Sequence, residues 1–127
     1  MQSPILALNN APQNFSKIFE ELQKERLRNN FTDFFKASFE HLNPDTKLAI
    51  NWHIDCLSEY LTACYRKELK RLVINIPFRM LKSSLCSVAF PAWGLGKNPA
   101  LKFMCVSYAD TLSTDLSVRS RQLVESD

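Results

Sequence analysis

KRLVINIPFRMLKSS, residues Lys70 to Ser84, holds three signals in one short stretch. Leu72-Val73-Ile74 is a short β-branched apolar run that continues through Asn75 to Ile76, the pattern of a buried strand. Pro77 then turns the backbone. Arg79 and Lys82 follow three residues apart, and the hydroxyls of Ser83 and Ser84 come directly after the lysine, where an amphipathic segment starts. Strand, loop, Lys-Ser and helix in that order form the skeleton of a phosphate-binding loop. In such a loop the backbone N–H groups and the helix dipole converge on one spot, adding about half a positive charge. A lysine there bridges terminal phosphates and the following hydroxyl holds Mg²⁺. Measured against GxxxxGK[ST], Ile76 and Leu81 stand at the two glycine positions. Ile76 resists positive φ, so the loop must follow its own backbone path. Arg79 is either a second phosphate ligand or a surface residue on the turn.

Upstream, residues 1–13 contain Pro4 and Pro12 and read as an irregular tail. From Phe15 the spacing of Phe15, Ile18, Phe19, Leu22 and Leu27 predicts a helix with one apolar face, capped by Asn14 or Ser16 and broken at Asn29-Asn30. Phe31, Phe34, Phe35, Phe39 and Leu42 predict a second helix, ended by Asn43-Pro44. This phenylalanine stripe is either core or an interaction face. After a turn at Asp45 to Lys47, a third helix is expected from about Leu48 to Lys67, with Leu48, Trp52, Leu57, Tyr60, Leu61 and Cys64 inward.

Downstream, Ser83 to Trp93 reads as a helix that Pro91 ends or kinks, with Gly94 and Gly96 at its exit. Leu101 to Tyr108 is a second candidate for a buried strand, and Thr111 to Glu125 a final helix with Leu112, Leu116, Arg119 and Leu123 on one side. Three helices followed by strand, helix, strand and helix predict an α/β fold with a parallel sheet. The chain divides accordingly into the tail, a helical segment at 14–49 and the loop-bearing region at 50–127.

Composition sets wider bounds. A chain of 127 residues with 46% hydrophobic content is one domain or part of one. Its net charge of +3 is too mild to imply nucleic acid by itself. The basic residues Arg66, Lys67, Lys70, Arg71, Arg79 and Lys82 nevertheless crowd together with Glu68 as the one acid among them. That cluster is either a solvated helix end or a local field that attracts phosphate. Cys56, Cys64, Cys86 and Cys105 form no CxxC pair and sit among apolar neighbours, which predicts buried free thiols. His41 and His53 are not spaced for zinc. The N-terminus lacks the basic region of a signal peptide, and no apolar run reaches the roughly 18–20 residues of a membrane span. A cytoplasmic protein is expected.

A resemblance joins these parts. Trp52-His53-Ile54-Asp55, the run from Arg71 to Ser83, Phe90-Pro91-Ala92-Trp93, Ser107-Tyr108-Ala109, Leu112-Ser113 and the run from Arg121 to Ser126 appear in order. Together they resemble the N-terminal ATPase region of tailed-phage terminase large subunits, the motors that drive phage DNA into a procapsid. In one branch of that family the phosphate loop reads Pro-Pro-Arg-x-x-Lys-Ser/Thr. Pro77, Arg79, Lys82 and Ser83 match it, and Phe78 replaces the second proline.

The resemblance implies an ATP site formed by Pro77, Phe78, Arg79, Met80, Leu81, Lys82, Ser83 and Ser84. It implies Mg²⁺ at Ser83, a catalytic or phosphate-sensing role for Arg79, and adenine-side contacts from Trp52 and His53. A core or helix-surface role for His53 remains the other reading. The implied partners are phage DNA, a portal protein and a small terminase subunit, with DNA contact assigned to the assembled motor.

A motor of this class also needs an apolar strand ending in acids. After Ser83 the acids are Asp110, Asp115, Glu125 and Asp127, and none ends a long apolar run. Asp110 reads as a helix cap. By the family's plan the chain stops in mid-domain and lacks the nuclease, so a truncated, marginally stable prophage remnant without turnover is expected. The alternative is a non-catalytic helical module that binds a partner through its phenylalanine-rich helices. A third reading, a small P-loop kinase or transferase, needs a lid and acidic residues that the sequence does not contain.

Overall fold

The computed structural model describes residues 11–126, with side chains from residue 14 onward. Five α-helices follow in order: α1 (Ala11–Asn29), α2 (Phe31–Leu42), α3 (Trp52–Tyr65), α4 (Phe90–Lys97) and α5 (Asp110–Glu125). A π-helical segment, Ser84–Ala89, runs directly into α4.

This overturns the α/β expectation. Helix makes up 65% of the fold, and no strand or sheet is present among the described residues. The two segments read as strands form neither helix nor turn and have no ladder partner. In the first, Leu72, Ile74 and Ile76 pack on the core while Val73 faces solvent, so the two-residue alternation is there without the sheet. In the second, Phe103 turns inward and Met104, Val106 and Tyr108 stand almost fully in water, so this is not a buried strand. β-Branched and aromatic content predicts an extended backbone. A sheet also needs a neighbouring strand, which the described residues do not supply.

α1 and α2 are joined through one residue. Asn30 closes α1 with its N–H on the Arg26 carbonyl (2.9 Å) and caps α2 by accepting from the Asp33 N–H (3.2 Å). Arg26 Nε donates to Asp33 Oδ2 at 2.8 Å across the same junction. α1 is helical from the first described residue, Ala11, so residues 11–13 are not part of an irregular tail, and neither Asn14 nor Ser16 is its cap. Residues 1–10 lie outside the described residues. The expected apolar face of α1 is real, but it is not core: Phe15, Ile18, Phe19 and Leu22 are all exposed.

The core lies between α2, α3 and the π–α4 helix. Phe31, Phe35 and Phe39 of α2 meet Ile54, Leu57 and Leu61 of α3 and Leu85, Ala89 and Trp93. The α2 stripe is therefore core, as one of the two sequence readings had it. α3 starts at Trp52, not Leu48, because Asn51 caps it by accepting from the Trp52 N–H at 2.8 Å. Its buried face is Ile54, Leu57, Ser58 and Leu61, rotated from the expected one, and Trp52 and Tyr60 are outside. Two apolar stripes compete on this helix, and the one spaced to meet α2 is inward.

α3 ends in a Schellman turn. The Lys67 N–H reaches the Cys64 carbonyl and the Glu68 N–H reaches the Ala63 carbonyl, both at 3.0 Å, with Lys67 at φ 63°. A lysine pays a steric cost for that left-handed conformation. Lys67→Gly is therefore expected to raise stability by about 0.5–1 kcal/mol, read as a higher midpoint in urea unfolding.

Pro91 does not end its helix. It falls at the start of α4, immediately after the π-helical segment, whose wider turn carries the Phe90 N–H back to the Leu85 carbonyl. The wider turn makes room for the ring, which in an unbroken α-helix would clash with the carbonyl four residues back. Gly94 lies inside α4 rather than at its exit. The Phe103 ring sits where a side chain would be, and a Cβ at Gly94 would lie 2.6 Å from Phe103 Cζ. α5 begins at Asp110 with Ala109 in the capping position, so Asp110 makes no side-chain cap. Leu123 of α5 closes a smaller apolar cluster with Val88 and Ala92, against which Leu116 and Leu42 pack. Of the cysteines, Cys56, Cys64 and Cys86 are half-buried and Cys105 is exposed, so none is the buried thiol expected. All four are free thiols.

Candidate functional site

The run Leu72–Ile76 delivers the chain to a loop at the end of the core. Its inward residues anchor it, and from Pro77 onward the backbone leaves the protein and returns at Leu81, which packs on the core again. Between these anchors lie two of the three described non-glycine residues with positive φ, Arg79 at 66° and Leu81 at 63°. Leu81 stands at the second glycine position of the usual loop pattern. Here a leucine takes the conformation that glycine would have adopted freely, at a cost of about 1–2 kcal/mol. Ile76 has ordinary φ, so the first glycine position is not reproduced.

The sign of φ alternates from Phe78 through Arg79, Met80 and Leu81 to Lys82. Alternating sign of φ is one requirement of a nest, in which successive N–H groups converge on an anion. The helix adds to it. Its first main-chain bond in this region runs from the Leu85 N–H to the Leu81 carbonyl at 3.0 Å. The N–H groups of Lys82, Ser83 and Ser84 therefore precede any helical acceptor, and the dipole's positive end lies at Lys82-Ser83.

Ile76 to Ser84 line an open cradle of about 540 Å³. Its charged side chains are Arg79 and Lys82, and no carboxylate lines it. Ser83 makes no side-chain capping bond. Pro77, Phe78, Met80 and Lys82 are exposed along the rim, and Ser84 is half-buried. This donor set suits a polyphosphate: two cations, a run of N–H groups and two hydroxyls. For Mg²⁺ the protein offers only the hydroxyl of Ser83 and its neighbour Ser84, so phosphate oxygens and water would complete the shell. Among the described residues no cluster of three or more His, Cys, Asp or Glu side chains is spaced to hold a metal.

A second cleft of about 360 Å³ opens on the other side of Ile76. Trp52, His53, Cys56 and Tyr60 form one wall and Leu72 to Ile76 the other. Trp52 and His53 thus lie beside the strand-like segment that carries the loop, with Ile76 common to both clefts. Trp52 is 74% exposed, a large flat surface open to solvent. Both ring nitrogens of His53 are buried without a hydrogen-bond partner, although the ring as a whole is only half-buried. That leaves a buried polar edge whose desolvation nothing offsets.

Sequence reasoning named neither Cys56 nor Tyr60 for this cleft, having set Tyr60 with Trp52 on the buried side. The signal was available in their spacing of four residues along α3. It also missed Cys86, one turn beyond Ser83. Burial pushes the Cys86 thiol up, the nearby Lys82 charge lowers it and Cys64 raises it, with the net direction upward and against the thiolate.

No helix among the described residues is long and apolar enough to cross a membrane. No family model matches the chain, and neither the curated proteins nor the solved structures contain a match.

Proposed function

We propose that Pro77 to Ser84 is a nucleotide-phosphate loop of the proline-arginine type, and that the chain is a terminase-like ATP-binding protein of the cytoplasm. The observation that carries the reading is the left-handed Leu81 immediately before Lys82, at the position where the usual pattern needs glycine. Leu81 packs on the core and still holds this strained conformation at the one step where a phosphate loop needs a left-handed residue, which supports the reading. Lys82 and Arg79 supply charge-assisted contacts to the phosphates, Ser83 faces the metal, and Trp52 with His53 offers a flat surface and a polar edge for the base. Because the cradle has no carboxylate lining, its chemistry is binding and orientation of ATP. Phage DNA, a portal protein and a small terminase subunit are the partners that belong to this proposal.

The test is a calorimetric series with ATP, ADP and AMP in the presence of Mg²⁺. Affinity should fall in that order, because the phosphates make the contacts. Arg79→Ala should weaken ATP binding about ten-fold, the loss of one charged hydrogen bond, without changing the melting temperature. Equal affinity for ATP and AMP would remove the phosphate loop from the account.

A second reading rests on α1. Phe15, Ile18, Phe19 and Leu22 form an exposed apolar stripe at helical spacing, as an interaction helix would. The buried Phe35 belongs to the core, so it cannot serve this contact in the folded chain. Ile18→Glu with Leu22→Glu would abolish a partner contact of this kind and leave ATP binding unchanged.

A further inference from the structure

We propose that Phe78 is a positioning residue for Arg79. Its ring engages the guanidinium in the free loop and releases it to a polyphosphate. The inference rests on the phosphate-loop reading above.

Phe78 buries almost nothing: it is 90% exposed at the tip of the loop. An aromatic ring in that position contributes little to the core. What it does hold is Arg79, whose guanidinium carbon lies 5.7 Å from the ring centroid, within cation–π range. Arg79 makes no hydrogen bond or ion pair with the described residues, so the ring is its one described side-chain partner. The positive φ of Arg79 sets the direction in which its side chain leaves the loop. A proline at 78 would offer no π face. The phenylalanine therefore adds an interaction that a bound phosphate has to displace.

The contact is exposed, and exposed cation–π pairs are weak. Displacing it should cost about two- to five-fold in affinity. The chemistry it opposes is stronger, because a guanidinium forms paired, charge-assisted bonds to phosphate oxygens. Arg79 should thus be on the ring without nucleotide and on the phosphates with it.

Three measurements on the full chain test this. In NMR spectra of the free protein, ring current should shift the Arg79 side-chain protons upfield in the wild type and in Phe78→Tyr, but not in Phe78→Leu. Addition of ATP with Mg²⁺ should move the wild-type shifts to the Phe78→Leu values. By calorimetry Phe78→Leu should bind ATP about two- to five-fold more tightly than the wild type. Phe78→Tyr should match the wild type, and in an Arg79→Ala background Phe78→Leu should have no effect. If ATP binds with a requirement for Lys82 but Phe78→Leu gains nothing, or gains as much without Arg79, the positioning role is wrong and the phosphate loop stands. If neither the wild type nor Phe78→Leu binds ATP, both fall together.

Discussion

Lys82→Ala should remove most of the affinity for ATP in the presence of Mg²⁺ and leave the fold intact. Lys82 is exposed and forms no ion pair or hydrogen bond among the described residues, so its truncation deletes no structural contact of that kind. A charged hydrogen bond to phosphate is worth about 1.5–3 kcal/mol, which is roughly ten- to a hundred-fold in Kd. The exposed setting adds a second signature. Salt screens such a contact, so the gap between wild type and variant should narrow as ionic strength rises from about 0.01 to 0.15 M. Titration calorimetry at two salt concentrations, with a thermal melt of each protein, reads both. An unchanged Kd would show that the lysine does not face the nucleotide.

The largest effect on stability is expected at Trp93. Its ring lies 5.2 Å from Phe31 and 5.1 Å from Tyr65, centroid to centroid, and Lys97 Nζ stands 4.8 Å from its face. The indole Nε1–H donates to the Arg28 carbonyl at 3.1 Å, tying α4 to the end of α1. Trp93→Ala removes the ring from the middle of the core, leaves a cavity and frees a carbonyl at a helix end. Large-to-small substitutions of this kind cost about 3–5 kcal/mol. A domain of this size holds about 5–15 kcal/mol in all, so the variant should melt roughly 10–20 °C lower or fail to fold at 37 °C. Trp93→Phe keeps most of the packing and loses the donor. It should cost about 1–2 kcal/mol, and circular dichroism melts of the two variants separate packing from hydrogen bonding.

The sequence made some of this legible for reasons that can be named. α2 was readable because five apolar residues at helical spacing end at Asn43-Pro44, and both signals are local. The turn after Ile76 was legible because Pro77 punctuates it, and the helix that follows starts at Lys82, one residue before the expected Ser83. The backbone path of the loop was not legible. Positive φ at Arg79 and Leu81 is carried by residues that ordinarily avoid it, so composition could not announce it.

The sheet was the main error. Leu72–Ile76 has the alternation of a strand, but pairing depends on a neighbour elsewhere, and period alone does not supply one. Trp52 was taken as core because it is large and apolar. It lies outside because Asn51 sets the start of α3 and Ile54, Leu57 and Leu61 claim the inward face. Pro91 was read as ending or kinking its helix, and the π-helical turn before it changed the geometry it met.

The most direct test of the central claim is an amide NMR titration of the chain with ATP in the presence of Mg²⁺. The account predicts saturable shifts concentrated at the amides from Phe78 to Ser84, residues that line the cradle, with smaller changes at Trp52 and His53. Shifts spread evenly over the exposed basic residues, with the amides from Phe78 to Ser84 unmoved at saturation, would contradict it.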